Sequence, residues 1–207
     1  MSRSPNSSAN NFLSCLVKSK FFMVKFPVMR KERKVLLGVT GSIAAFKAAV
    51  LTSRLVKEGV RVKVVMTKEA TCFVTPLTFQ VLSGNKVYQD MFAGWDSPEI
   101  EHISLSEWAD LILVCPATAN ILSKTANGLA DDLLSATILA ARKPVIFVPA
   151  MNAGMWQNPI LQKKVKELKS LGYRFIGPTK GRLACGKEGE GRMVEVETVI
   201  AALAKIK

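Results

Sequence analysis

No apolar run in this chain approaches the ~18 residues that a membrane-spanning helix requires, so no association with a membrane is expected. Cysteine is scarce. Cys15, Cys72, Cys115 and Cys185 lie dozens of residues apart, in neither a zinc pattern nor a disulfide framework. Reduced thiols in a cytoplasmic protein are the expectation. The familiar phosphate fingerprints are missing too: no G-x-G-x-x-G closes an apolar run and no G-K-[ST] occurs, which excludes the dinucleotide and P-loop modes of binding. Histidine occurs once, at His102.

Acidic residues are scarce as well, which leaves a net charge of +13. The excess is uneven. Residues 1–34 carry eight basic side chains and one acid, Glu32, which accounts for more than half of it. The remaining basic residues are scattered along helix-like stretches without interleaved aromatics, so nucleic acid is not expected as a partner. The head, residues 1–33, is rich in Ser and Asn, basic and nearly free of acids. That composition suits a transit peptide, a disordered tail or a start read too early, and a tail is the working expectation.

What is present from residue 34 onward is alternation. "KVLLGVTG", "VRVKVVMT", "WADLILVCPAT", "PVIFVPAMN" and "YRFIGP" read as short buried strands. Between them lie helical stretches. "SIAAFKAAVLTSRLVKEG" sets Ile43, Phe46, Leu51 and Leu55 on one face, with Ser42 as a candidate N-cap. "PLTFQVLSG" carries Pro76 in its first turn. "ANILSKTANGLADDLLSATILAAR" is broken around Asn127-Gly128, and "NPILQKKVKELKSLG" and "VETVIAALAKI" complete the set. This order predicts one α/β domain over residues 34–207, a Rossmann-like (flavodoxin-like) open parallel sheet with helices on both faces. Ligands of such sheets sit beyond the strand ends where the strand order reverses, which draws attention to "TGSIAAFK", "MTKEA", "PATAN" and "PAMNAGMW".

The first of these ends a strand and opens a helix. Its free N–H groups and the Ser42 hydroxyl suit one phosphate better than a pyrophosphate, hence a mononucleotide. Asn120 and Asn152 stand at equivalent points of two other loops, and small residues beside them allow a flat ligand to approach the backbone. Met151, Met155 and Trp156 suit either the wall of a planar ring or plain core. Asp131 and Asp132 are adjacent, so on a helix they point about 100° apart and make a poor shared metal site. They read as helix-terminus charges or subunit contacts.

"GSIAAFK", "HISLSEWADL", "PATAN", "GLADDLL", "PAMNAGMW" and "ACGKEGEGRM" follow one another in the order seen in the flavin-dependent cysteine decarboxylases. The chain resembles that family from about Lys34 to its C-terminus. The resemblance implies non-covalently bound FMN, with Gly41, Ser42 and Ile43 at its phosphate and Thr67 beside it. Thr118, Ala119, Asn120, Ile121 and Ala150 would line its remaining contacts. Many relatives have threonine where Ile121 stands, so here only the backbone can serve at that position. The resemblance makes His102 the active-site histidine and sets Asn152, Met155 and Ala184 on the substrate. It also implies trimers, or larger assemblies of them, with flavin at subunit boundaries.

The implied substrate is phosphopantothenoylcysteine, a phosphorylated acyl-cysteine of coenzyme A synthesis. Direct loss of its carboxylate would strand a carbanion. Oxidation of the thiol-bearing carbon by flavin first gives a thioaldehyde beta to the carboxylate, and decarboxylation then yields a delocalised ene-thiolate. Hydride return and a proton complete a redox-neutral sequence. Cys185, in the glycine-rich "GRLACGKEGEGRM", is the implied proton donor on a flap that also excludes water. Arg182, Lys187 or Arg192 would meet the substrate phosphate. A decarboxylase of peptide C-terminal cysteines would stop at the ene-thiol and need no Cys185. A regulatory flavin-binding subunit would need neither His102 nor Asn152.

Overall fold

The computed structural model describes residues 32–92, 100–184 and 186–206. The basic head up to residue 31, and Cys185, lie outside the described residues. Chain order runs β1 (Lys34–Val39), α1 (Ala45–Lys57), β2 (Arg61–Met66), α2 (Pro76–Ser83), β3 (Val87–Tyr88), α3 (Glu101–Trp108) and β4 (Leu111–Ala117). It continues through α4 (Ala119–Ala126), α5 (Leu133–Ala140), β5 (Val145–Pro149), α6 (Ala153–Gln157), α7 (Pro159–Ser170) and β6 (Arg174–Phe175). A ribbon, β7 (Thr179–Arg182) with β8 (Glu188–Arg192), precedes the closing helix α8 (Val196–Ala204).

Six strands form one sheet in the order β3-β2-β1-β4-β5-β6, every neighbouring pair parallel. The apolar strand runs predict this, because strands covered on both faces have no polar side to show. Alternate side chains go to opposite layers. Val35, Leu37 and Val39 of β1 join Leu111, Leu113 and Cys115 of β4 against α1, α2 and α8. Leu36, Ile112 and Val114 face the other way, against α3, α4, α5 and α7. Each fully buried Leu, Ile or Val contributes roughly 1.5–3 kcal/mol relative to exposure.

Several local expectations shift. α1 starts at Ala45, with Ala44 as N-cap, so Ser42 is not the cap. The buried face of α1 is Ala45, Ala48, Leu51, Thr52 and Leu55, whereas Ile43 and Phe46 are exposed. The reason is register: Leu51 and Leu55 are four apart, and stepping back along that stripe reaches Ala48 and Ala45 rather than Phe46. Pro76 does open α2. Arg33 is buried and donates Nη1 to the carbonyls of Leu203 (3.2 Å) and Ile206 (2.7 Å), closing the C-terminal end of α8 as a cation should.

Phe147 of β5 is fully buried, with Tyr173 and Phe175 rings 5.7 and 5.5 Å away. Phe147→Ala is expected to lower unfolding free energy by about 3–5 kcal/mol. Urea titration checks this; a loss below about 1 kcal/mol would contradict the packing described.

Candidate functional site

The strand order reverses between β1 and β4, and their C-terminal loops part there. Thr40 bridges the gap: its Oγ1 donates to the Pro116 carbonyl (2.7 Å) and accepts from the Thr118 N–H (3.2 Å). Beyond it opens a cavity of about 950 Å³.

One wall is the turn from β1 into α1. An added Cβ at Gly41 would lie 2.4 Å from Glu69 Cβ, so only glycine lets these two loops meet. Ser42 Oγ accepts from the Ala44 N–H at 3.2 Å. The amides of Gly41, Ser42 and Ile43 find no acceptor among the described residues, and they sit at the positive end of the thirteen-residue α1. Thr67, at the end of β2, donates its N–H to the Val39 carbonyl (3.0 Å). Its Oγ1 is buried without a hydrogen-bond partner among the described residues, on the same cavity.

Thr118, Ala119, Asn120 and Ile121 form the opposite wall at the start of α4. Asp132 closes it. Asp132 is the N-cap of α5 in a reciprocal capping box with Ser135, and Lys124 binds both Asp132 (2.7 Å) and Asp131 (2.8 Å). The acidic pair thus serves a helix terminus, and the Lys124 ammonium holds the Asp131 carboxyl below the usual carboxylate range. The third wall is Ala150, Met151 and Asn152 after β5. Asn152 caps α6, its Oδ1 accepting from the Gly154 N–H at 2.8 Å. Met155 lies half exposed on the cavity, while Trp156 is buried in the core and takes no part in the wall.

The β7–β8 ribbon forms the roof. The glycine-rich segment, expected as a mobile flap, is here an antiparallel pair docked on the β5 loop. Met151 N–H donates to the Gly191 carbonyl (2.9 Å). A Cβ at Gly191 would lie 2.5 Å from the Met151 carbonyl oxygen, and one at Gly189 2.5 Å from Ala153 Cβ. These two glycines therefore serve close packing. Glu195 anchors the root of the ribbon, accepting from Lys47 of α1 (3.0 Å) and from Arg192 (2.6 Å). The Lys47 hydrogen bond holds the Glu195 carboxyl below its usual range.

Gly41, Ser42, Ile43, Thr67, Thr118, Ala119, Asn120, Ile121 and Ala150 all line this one cavity, together with Asn152, Met155 and Ala184. The other two expected site residues stand differently. Cys185 lies outside the described residues, and His102 sits in the first turn of α3, off the cavity, its Nδ1 buried without a partner among the described residues. Thr40, Phe46, Lys47, Glu69 and Asp132 also line the cavity; they fall inside the quoted loops and motifs without being expected individually as site residues. Lys47 ends "GSIAAFK", one helical turn beyond the anion turn, which is its only signal.

The family model described as Flavoprotein matches residues 24–206. The chain belongs to the Flavoprotein family. Among this flavoprotein's relatives is the coenzyme A biosynthesis bifunctional protein CoaBC of Bacillus subtilis (strain 168), 50% identical over 172 residues. That match takes in 83% of this chain but only 42% of the relative, so the flavoprotein spans well under half of that protein. A probable phosphopantothenoylcysteine decarboxylase of Streptococcus mutans is 45% identical, covering 81% of this chain and 95% of that one. A solved PPC decarboxylase mutant complexed with pantothenoylaminoethenethiol superposes with a TM-score of 0.76 at 34% identity, over 84% of this chain and 97% of the other.

Gly191→Ala places a Cβ against the Met151 carbonyl at a backbone φ of +139°, which side chains rarely adopt. The ribbon is expected to undock, at a cost of about 1–3 kcal/mol. Hydrogen exchange at the amides of residues 188–192 should accelerate roughly tenfold or more; unchanged protection would contradict the docking.

Proposed function

We propose that this flavoprotein binds FMN and decarboxylates phosphopantothenoylcysteine to phosphopantetheine in coenzyme A biosynthesis, as a cytoplasmic enzyme. The observation that carries this reading is one cavity joining a single-phosphate turn to Asn152 and the ribbon. FMN fits the residues present. The unpaired amides of Gly41, Ser42 and Ile43 match one phosphate, and the orphaned Thr67 Oγ1 needs a polar ligand group. The small side chains of Ala119 and Ala150 leave room for a flat ring. The Flavoprotein match and the decarboxylase relatives support the same conclusion.

When bound, FMN supplies the acceptor and donor of hydride that the unstabilised carboxylate loss lacks. The chain's own residues do the rest. Asn152 hydrogen-bonds the carboxylate–amide region of the substrate, with Met155 and Ala184 bounding it. Arg182 meets the substrate phosphate: it lines the cavity without an ion pair among the described residues, whereas Glu195 holds Arg192, and Lys187 is off the cavity. His102 assists oxidation at the thiol-bearing carbon. Cys185 supplies the proton that, together with the hydride returned to the ene-thiolate, gives the product thiol after carbon dioxide has left.

His102 lies off its own chain's cavity, which supports a homotrimer, or a larger assembly of trimers, in which each site takes His102 from a neighbour. The exposed Ile43, Phe46 and Val50 of the anion turn and α1 would then be covered. Light scattering of FMN-loaded protein is expected to give a trimer or a multiple of it; a fully active monomer would contradict the shared site.

Cys185→Ser replaces a thiol of pKa ~8.5 with a far weaker acid. Carbon dioxide should be released once per bound flavin, after which the flavin stays reduced and ene-thiol accumulates. His102→Asn should instead leave the flavin oxidised when substrate is added. Normal turnover of either variant to phosphopantetheine would remove that residue from the mechanism.

A further inference from the structure

α3 packs against α5 through its middle, but its two ends have little of their own to hold them. Its N-cap, Ile100, makes no side-chain capping bond, and only Leu105 and Ser106 of its eight residues are buried. Helices this short are marginal without tertiary contacts. Yet α3 carries His102, whose buried Nδ1 has no hydrogen-bond partner among the described residues. A functional imidazole is ordinarily aimed by a bond to its second nitrogen. Here the direction of the ring depends on where the helix itself is held.

Two lysines from the sheet edge reach its two ends. Lys63 of β2 sets Nζ 4.8 Å from the ring centre of Trp108, the last residue of α3, and 5.8 Å from that of Tyr88. Lys86, just before β3, sets Nζ 4.7 Å from the Tyr88 ring and 2.7 Å from Oε1 of Glu101, the first residue of α3. Tyr88 thus serves both ammonium groups, and the Glu101 side chain is only 15% exposed. Glu101 also stands in the first helical turn, where the helix dipole favours an acid. Its hydrogen bond holds the Lys86 ammonium above its ordinary range. None of the three sheet-edge residues lines the cavity.

We propose that Lys63, Lys86 and Tyr88 form a cation–aromatic clamp that positions α3, and through it His102, for the oxidation step. They are positioning residues, and the proposal rests on the reading of His102 as catalytic. The test uses FMN-loaded full chain carrying Lys86→Met, Tyr88→Leu or the conservative Lys86→Arg. Flavin bleaching in a single turnover and hydrogen exchange at the amides of residues 101–108 are measured. Lys86→Met is expected to bleach about three- to five-fold more slowly, the factor an exposed ion pair is worth. FMN content and KM should be unchanged, α3 amides should exchange faster, and Lys86→Arg should restore both readouts. In a His102→Asn background, where only slow residual bleaching is left, Lys86→Met should slow it no further. Wild-type bleaching in Lys86→Met and Tyr88→Leu, with His102→Asn slow, overturns the clamp alone. Equal slowing by Lys86→Met with and without His102 also overturns it, because the effect would then be general loosening. Normal bleaching in His102→Asn overturns the catalytic reading and the clamp together.

Discussion

The hydroxyl of Thr40 holds together the place on which everything else depends. At the reversal of strand order, β1 and β4 send their loops in opposite directions, and the sheet ladder does not tie those loops to each other. Thr40 Oγ1 does, donating to Pro116 and accepting from Thr118 while wholly buried. Valine of equal shape would leave the buried Pro116 carbonyl unpaired, at a cost of about 1–3 kcal/mol, and the part-buried Thr118 amide without its acceptor. With the tie in place, the anion turn after β1 and the α4 wall after β4 face each other across one cavity.

The roof depends on backbone contact in place of side chains. Gly189 and Gly191 let β8 lie against the loop after β5, and Glu195 fastens the ribbon's root to Lys47 of α1. The same α1 begins with the turn proposed to hold phosphate. Roof and phosphate site are therefore connected through one helix and one carboxylate.

The sheet was legible because buried parallel strands are apolar on both faces and end in glycine or proline. Pro76 and the acidic pair beside Asn127-Gly128 were legible for local reasons, a fixed φ and a cap. Ile43 and Phe46 misled because apolar residues at the start of a helix look like core, when here they are exposed beside a cavity. Trp156, open in the sequence between ring wall and core, is core. β3 has two residues and α3 has an apolar content too weakly periodic to announce a helix, so the edge that carries His102 was missed. The ribbon was hidden because its glycines answer to a contact with residues nearly forty positions earlier, which no local pattern records. The cavity residues were reached through family motifs; their convergence depends on tertiary distance.

Binding of FMN and riboflavin to cofactor-stripped protein tests the central claim most directly, since the two differ only in the phosphate. The amides of Gly41, Ser42 and Ile43 should make charge-assisted bonds that riboflavin cannot. Quenching of flavin fluorescence is predicted to show FMN bound about a hundredfold or more tightly. Equal affinity for the two ligands would contradict a phosphate site at the turn into α1.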